Sequence, residues 1–105
     1  MKIYISGPIT NNPNYREDFA KAKIKIENDF KGMTEIINPA ALSDVLPPSS
    51  THDDFMRVCC ELIEMADAVY MLKGWEASKG ACIEYGYALA KDLIIIREED
   101  NEEDN

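Results

Sequence analysis

A serine, a glycine two residues on and a glutamate six residues on mark the richest stretch of this 105-residue chain. The stretch reads Gly74-Trp75-Glu76-Ala77-Ser78-Lys79-Gly80-Ala81-Cys82-Ile83-Glu84-Tyr85-Gly86. It follows an apolar, strand-like segment and opens a helix-like one. The first N–H groups of a helix lack partners, and the macrodipole is positive there, so anions are drawn to such a start. Glu84 falls within the first turn or two of the helix. The dipole favours its ionised form and burial opposes it. An ionised carboxylate there can serve as nucleophile or base; the alternative is a Glu that merely stabilises its helix. Ser78 and Gly80 supply a hydroxyl and free N–H groups. These form either a cradle for a phosphate or ribose, or an ordinary cap and turn.

Other candidates stand around this stretch. Ser6-Gly7-Pro8 is a weaker cradle, in which Gly7 permits close backbone approach. Tyr4 has a phenol able to hydrogen-bond a carboxylate or a sugar; its alternative is a core position. Trp75 could stack on a planar base, and Glu76 could accept from a sugar hydroxyl or a base amine, unless both belong to a surface loop. His52, the single histidine, is either an acid–base group or part of a helix start. Asp67, Tyr85, Gly86 and Tyr87 read as structural.

The elements that must position these residues alternate. Lys2 to Ser6 is a short strand, followed by a turn-rich loop to Pro13. Asn14 and Glu17 form a capping-box pattern, and Tyr15, Phe19, Ala22, Ile26 and Phe30 follow at helical spacing up to Gly32. Thr34 to Asn38 is a second strand. Residues 39–51, with Pro39, Pro47 and Pro48, form a long segment of the kind that often serves as a functional lid. A helix spans about His52 to Met65, with Phe55, Val58, Cys59 and Leu62 on one face. Ala68 to Leu72 is a third strand, and Leu93 to Ile96 a fourth, apolar enough to be covered on both faces. Strands separated by helices predict an α/β fold. The expected form is a small three-layer, doubly wound (Rossmann- or flavodoxin-like) parallel sheet of about four strands, in the order 2-1-3-4. In that order the switch point falls between strands 1 and 3. The loops carrying Ser6-Gly7-Pro8 and Gly74 to Gly80 then converge on one crevice.

Bulk properties bound the function. One domain is expected over residues 1–97, followed by an acidic, disordered tail at 98–105. Of the 20 acidic residues against 11 basic ones, six lie in that tail, so the body carries only −3 of the net −9. Without Lys/Arg clusters, nucleic acid is not an expected partner. No apolar run approaches the ~20 residues of a membrane span, and the start is too short for a signal peptide. A cytoplasmic protein is expected. Cys59, Cys60 and Cys82 lack metal-like spacing and read as reduced thiols. The reading calls for no metal and no cofactor.

Taken together, these residues resemble the nucleoside 2-deoxyribosyltransferase-like superfamily. The resemblance rests on Tyr4-Ile5-Ser6-Gly7-Pro8, on Ala66-Asp67-Ala68-Val69, and on Ser78-x-Gly80-x-x-x-Glu84-x-Gly86-x-Ala88. It spans roughly residues 1–97 and looks closest to a compact phage and bacterial branch. It implies that Glu84 attacks C1′ of a sugar and displaces the base, giving a glycosyl-enzyme ester that water or a second base resolves. It implies that Tyr4 orients Glu84. It also implies that Ser78, six residues before Glu84, reads the 5′ end of the sugar. Transferases of free nucleosides usually carry Asp there, and related deoxynucleoside 5′-monophosphate N-glycosidases carry Ser, which accommodates a phosphate. One departure stands out: the family often has a base-contacting Asp at the position held here by Cys59. Glu76 could fill that gap from the other loop. The implied activity is cleavage or exchange of an N-glycosidic bond in a nucleoside or nucleotide by a homodimer or larger assembly. The alternative is a non-catalytic nucleotide-binding protein with the same pocket.

Overall fold

The computed structural model describes residues 1–98. Four strands, β1 (Lys2–Ser6), β2 (Glu35–Ile37), β3 (Ala68–Met71) and β4 (Ile94–Arg97), form one sheet in the order β2-β1-β3-β4. All three pairings are parallel. This is the expected α/β topology with its switch point between β1 and β3. Four α-helices connect the strands: α1 (Tyr15–Asp29), α2 (Leu42–Val45), α3 (His52–Glu64) and α4 (Lys79–Ala90).

The strands alternate between two cores because successive side chains point to opposite faces. Ile3, Ile5, Ala68, Tyr70 and Leu72 face α1, whose Phe19, Ala22 and Ile26 cover them. Tyr4, Val69 and Met71 face α3 and α4, where Cys59, Ile63, Ala81 and Ala88 meet them. Fully burying each large apolar side chain contributes ~1.5–3 kcal/mol. A slip of one residue in β1 would exchange the two sets, so its register is strongly specified. Asp67 fixes it from the edge: its carboxylate accepts from the Lys2 N–H at 2.8 Å, and its own N–H donates to the Lys2 carbonyl at 2.8 Å.

Several local expectations change. The Asn14 side chain does not cap α1. Asn12 organises that entry instead: its Oδ1 accepts from the Asn14 N–H at 3.1 Å, and its Nδ2 donates to the Pro8 carbonyl at 2.9 Å. The left-handed backbone of Asn11 (φ 64) turns Asn12 inward. Residues 39–51 are more ordered than a plain loop, since a 3-10 turn at Pro39–Ala41 and α2 occupy their first half. The buried line of α3 is Met56, Cys59 and Ile63, rotated from the expected face so that Val58 lies at its margin. Strand β4 is an edge strand: Ile96 packs on the α1 core and Ile95 on the α3–α4 core, while Ile94 at its start is 56% exposed. In the acidic tail, Glu98 accepts from the Lys73 N–H at 2.8 Å; the expected disorder otherwise falls on residues 99–105, outside those described. Among the described residues no helix is long and apolar enough to cross a membrane.

Gly7 leaves β1 beneath Leu72. A Cβ built there would lie 2.7 Å from Leu72 Cδ1 and 2.8 Å from Leu72 Cβ, so something must shift. Overpacking of this kind typically costs ~1–3 kcal/mol. Gly7→Ala should therefore lower the melting temperature, whereas Gly86→Ala, with nothing within 4 Å of the new Cβ, should not. Equal melting of the two variants would show that Leu72 yields freely.

Candidate active site

The site is built where the two richest loops meet. After β3, the left-handed Gly74 (φ 88) turns the chain into a 3-10 turn at Trp75–Ala77. Ser78 then caps α4, its Oγ accepting from the Ala81 N–H at 3.2 Å. Ala81, Glu84 and Ala88 recur at helical spacing and form the buried line of α4. The two alanines let the helix sit close to the sheet, and Glu84 between them reaches β1. There Tyr4 and Ser6, on the same face of the strand, meet it. The Tyr4 hydroxyl donates to Glu84 Oε2. The Ser6 hydroxyl donates to Glu84 Oε1 at 2.6 Å.

This carboxylate is 5% exposed. Burial pushes its pKa above the ordinary carboxylate value, while hydrogen bonds from Ser6, Tyr4 and Cys59 pull the other way. The Tyr4 phenol is held well above its usual range, first by burial and then by Glu84, so it stays a neutral donor. Burial likewise pushes the Cys59 thiol up to about 12. Among the described residues, the groups that act on Glu84 are therefore neutral donors. A buried carboxylate with its pKa pushed upward is a common feature of general bases and nucleophiles.

Glu84 forms the floor of an open cavity of about 660 Å³. Gly7, Ser78 and Gly80 line it, together with Ile9, Thr10 and Asn11 from the loop after β1. Gly80 permits close packing of α4 on α3: a Cβ there would lie 3.3 Å from Met56 Sδ and 3.6 Å from His52 Nε2. Helices α3 and α4 both begin at this cavity, since Thr51 and His52 line it opposite Ser78 and Lys79. Thr51, in a capping box with Asp54, is the α3 cap, so His52 is freed from that duty. Tyr4 and Ser6 lie behind Glu84 rather than on the wall.

Three expected residues fall elsewhere. Trp75 stacks on Tyr85, with centroids 4.5 Å apart, and packs into the α3–α4 core. Glu76 is exposed and outside the wall, and its carbonyl accepts from Cys82 Sγ at 3.4 Å. Pro8 lines a second cavity of about 480 Å³ with Asp18, Lys21 and Glu98. The aromatic on the wall is Phe55, which the sequence placed on one face of its helix without a role in the site; Ser43 and Ser50 were also missed. The signal for the last two was the long proline-bearing segment that carries them. Among the described residues, no group of three or more His, Cys, Asp or Glu could hold a metal ion.

Comparison with known proteins adds the following. Residues 1–97 match the family described as "Domain of unknown function (DUF4406)". Among curated proteins none matches the chain. A solved structure described as a 2-desoxiribosyltransferase from Leishmania mexicana superposes with a TM-score of 0.62 at 21% identity. The superposition covers 91% of this chain and 62% of that one, so this chain spans less than two thirds of its neighbour. At that identity the likeness establishes a shared fold.

The raised pKa of Glu84 has a thermodynamic sign. An acid whose folded pKa exceeds its unfolded value holds its proton more tightly when folded. Its contribution to stability is complete below the unfolded value, 4.5, and is lost as pH rises through the folded one. Glu84→Gln keeps the shape and carries no charge. It should melt above the wild type at about pH 8, with the gap closing toward about pH 4. A gap independent of pH would mean that Glu84 is not held above its ordinary value.

Proposed function

The chain belongs to the DUF4406 family, and we propose that it cleaves or exchanges the N-glycosidic bond of a nucleoside or nucleoside 5′-monophosphate. The observation that carries this reading is Glu84, a buried carboxylate held by Tyr4 and Ser6 at the floor of an open cavity. The fold shared with a 2-desoxiribosyltransferase supports it.

In this reading, one Glu84 oxygen attacks C1′ of the sugar. The C1′–N bond breaks, its electron pair leaves with the base, and a glycosyl ester remains. Water or a second base then attacks C1′, the ester C–O bond breaks, the incoming group's proton passes to the departed base, and Glu84 is restored with the configuration retained. Tyr4 and Ser6 fix the carboxylate so that one lone pair faces the cavity. Their hydrogen bonds also stabilise the charge that the attack needs. Removing one donor to a charged group costs ~1.5–3 kcal/mol, about 10- to 150-fold in rate.

The 5′ end of the substrate lies against Ser78 and Gly80 at the start of α4. There a hydroxyl and the helix N-terminus accept a phosphate that a carboxylate would repel. The substrate is accordingly a 5′-monophosphate. The departing base needs a proton or a hydrogen-bond donor. Cys59 stands where the resembled family often has an Asp, and it is fully buried. Among the described wall residues Glu84 is the single carboxylate, and His52 is the single imidazole. That composition favours a second reading, in which the pocket binds a nucleotide without cleaving it.

Incubation with a panel of nucleosides, deoxynucleosides and their monophosphates, followed by chromatography for free base, separates the two readings. Catalysis predicts base release that Glu84→Ala abolishes while binding persists, and that Tyr4→Phe lowers about 10- to 150-fold. Binding without release from the wild type supports the second reading. Ser78→Asp should weaken the monophosphate far more than the free nucleoside; equal affinity of the wild type for both would rule out the phosphate assignment.

A further inference from the structure

One polar cluster outside the carboxylate site is built with more care than a surface contact needs. Arg16, on the first turn of α1, places Nη1 2.9 Å from Asp44 Oδ2 and Nη2 2.8 Å from Asp44 Oδ1. The same Nη2 donates to Ser43 Oγ at 2.9 Å, and the Tyr15 hydroxyl lies 3.0 Å from that Oγ. A planar guanidinium matches a carboxylate in this two-pronged way, and lysine cannot reproduce it. Asp44 and Ser43 belong to α2, a helix of four residues. Among the described residues, every side-chain hydrogen bond of α2 runs to Tyr15 or Arg16.

This clamp bears on the cavity. Ser43, Ser50 and Thr51 all line the wall facing the start of α4. They belong to the strap between the 3-10 turn at Pro39–Ala41 and the cap of α3. Its far end is fixed by the Thr51–Asp54 capping box. Its near end is fixed by Arg16, and Pro47 and Pro48 stiffen the span between. The Ser43 hydroxyl is engaged by α1, so its part in the wall is to close it rather than to bind a ligand. Arg16 itself is half-exposed. A pair in that setting holds its geometry by a few-fold to about tenfold in equilibrium constant.

We propose that Arg16 is a positioning residue of the site: by clamping Asp44 and Ser43, it holds strap 42–51 in place as one wall of the open cavity. The inference rests on the reading of the cavity as a nucleotide site. Loosening the strap costs the ligand one wall and quickens its escape.

The experiment uses the full chain as wild type, Arg16→Ala, Asp44→Ala, the double variant, Arg16→Lys and the exchange Arg16→Asp/Asp44→Arg. A 2′-deoxynucleoside 5′-monophosphate is the ligand. Each single alanine variant should raise KM and the dissociation rate about 3- to 10-fold with kcat little changed. The double variant should be no worse than either single one, because both remove the same interaction. Arg16→Lys should be intermediate, and the exchange should restore most of the loss. Without ligand, amide exchange across residues 42–51 should quicken by a similar factor in Arg16→Ala, with α4 unchanged. Additive single effects, or unchanged exchange across 42–51, would overturn the proposal. A wild type that neither binds nor cleaves any nucleotide would defeat the functional reading instead, and the exchange measurement would still judge the clamp.

Discussion

A carboxylate taken out of water must be met by donors, or it gives up its charge. Among the described residues Glu84 is the one buried carboxyl side chain, and the surrounding structure is arranged around that cost. Two hydroxyls from β1 meet its two oxygens. For that, β1 must present Tyr4 and Ser6 on one face, and α4 must lie close enough for Glu84 to reach them. Ala81 and Ala88 on α4 grant the closeness, and the parallel pairing of β1 with β3 grants the alignment. The result is a compensated but uncomfortable charge, since its donors are neutral and burial still pushes its pKa upward. Such residual discomfort is common where a group must react rather than merely support the fold.

The same arrangement decides where a ligand can go. At a switch point, neighbouring strands send their connections to opposite faces, so a crevice opens beyond their C-terminal ends. Here the loop after β1 forms one wall and the start of α4 another. Two helix starts face the opening, bringing unpaired N–H groups and positive dipole ends to it. The strap before α3 supplies the remaining wall. Its attachment to α1 couples this wall to the opposite face of the sheet, because α1 packs on the core that does not contain Glu84.

Much of this was legible in the residues. Alternation of apolar runs with helical spacing gave the strands, their parallel sense and the order around the switch point. Ser78, Gly80 and Glu84 were legible because capping and the 3.6-residue period are local rules. The departures have local causes too. Asn14 sits in a capping-box pattern, but the left-handed Asn11 brings Asn12 in its place. Leu93 to Ile96 reads as a buried run, but its strand lies at the sheet edge, where one side of its backbone has no strand neighbour.

The sequence by itself determined the elements, their order and the residue types able to do chemistry, because these depend on neighbours within about one turn or one strand. Only the tertiary structure decided which of those residues share a space. Trp75 and Glu76 flank the right motif yet point away from the cavity, since the 3-10 turn sends Trp75 onto Tyr85. Phe55, His52 and Ser43 reach the cavity from elements far away in the chain. The contact between Arg16 and Asp44 spans 28 residues, and that between Tyr4 and Glu84 spans 80. No periodicity encodes such distances; they follow from how the helices pack on the two faces of the sheet.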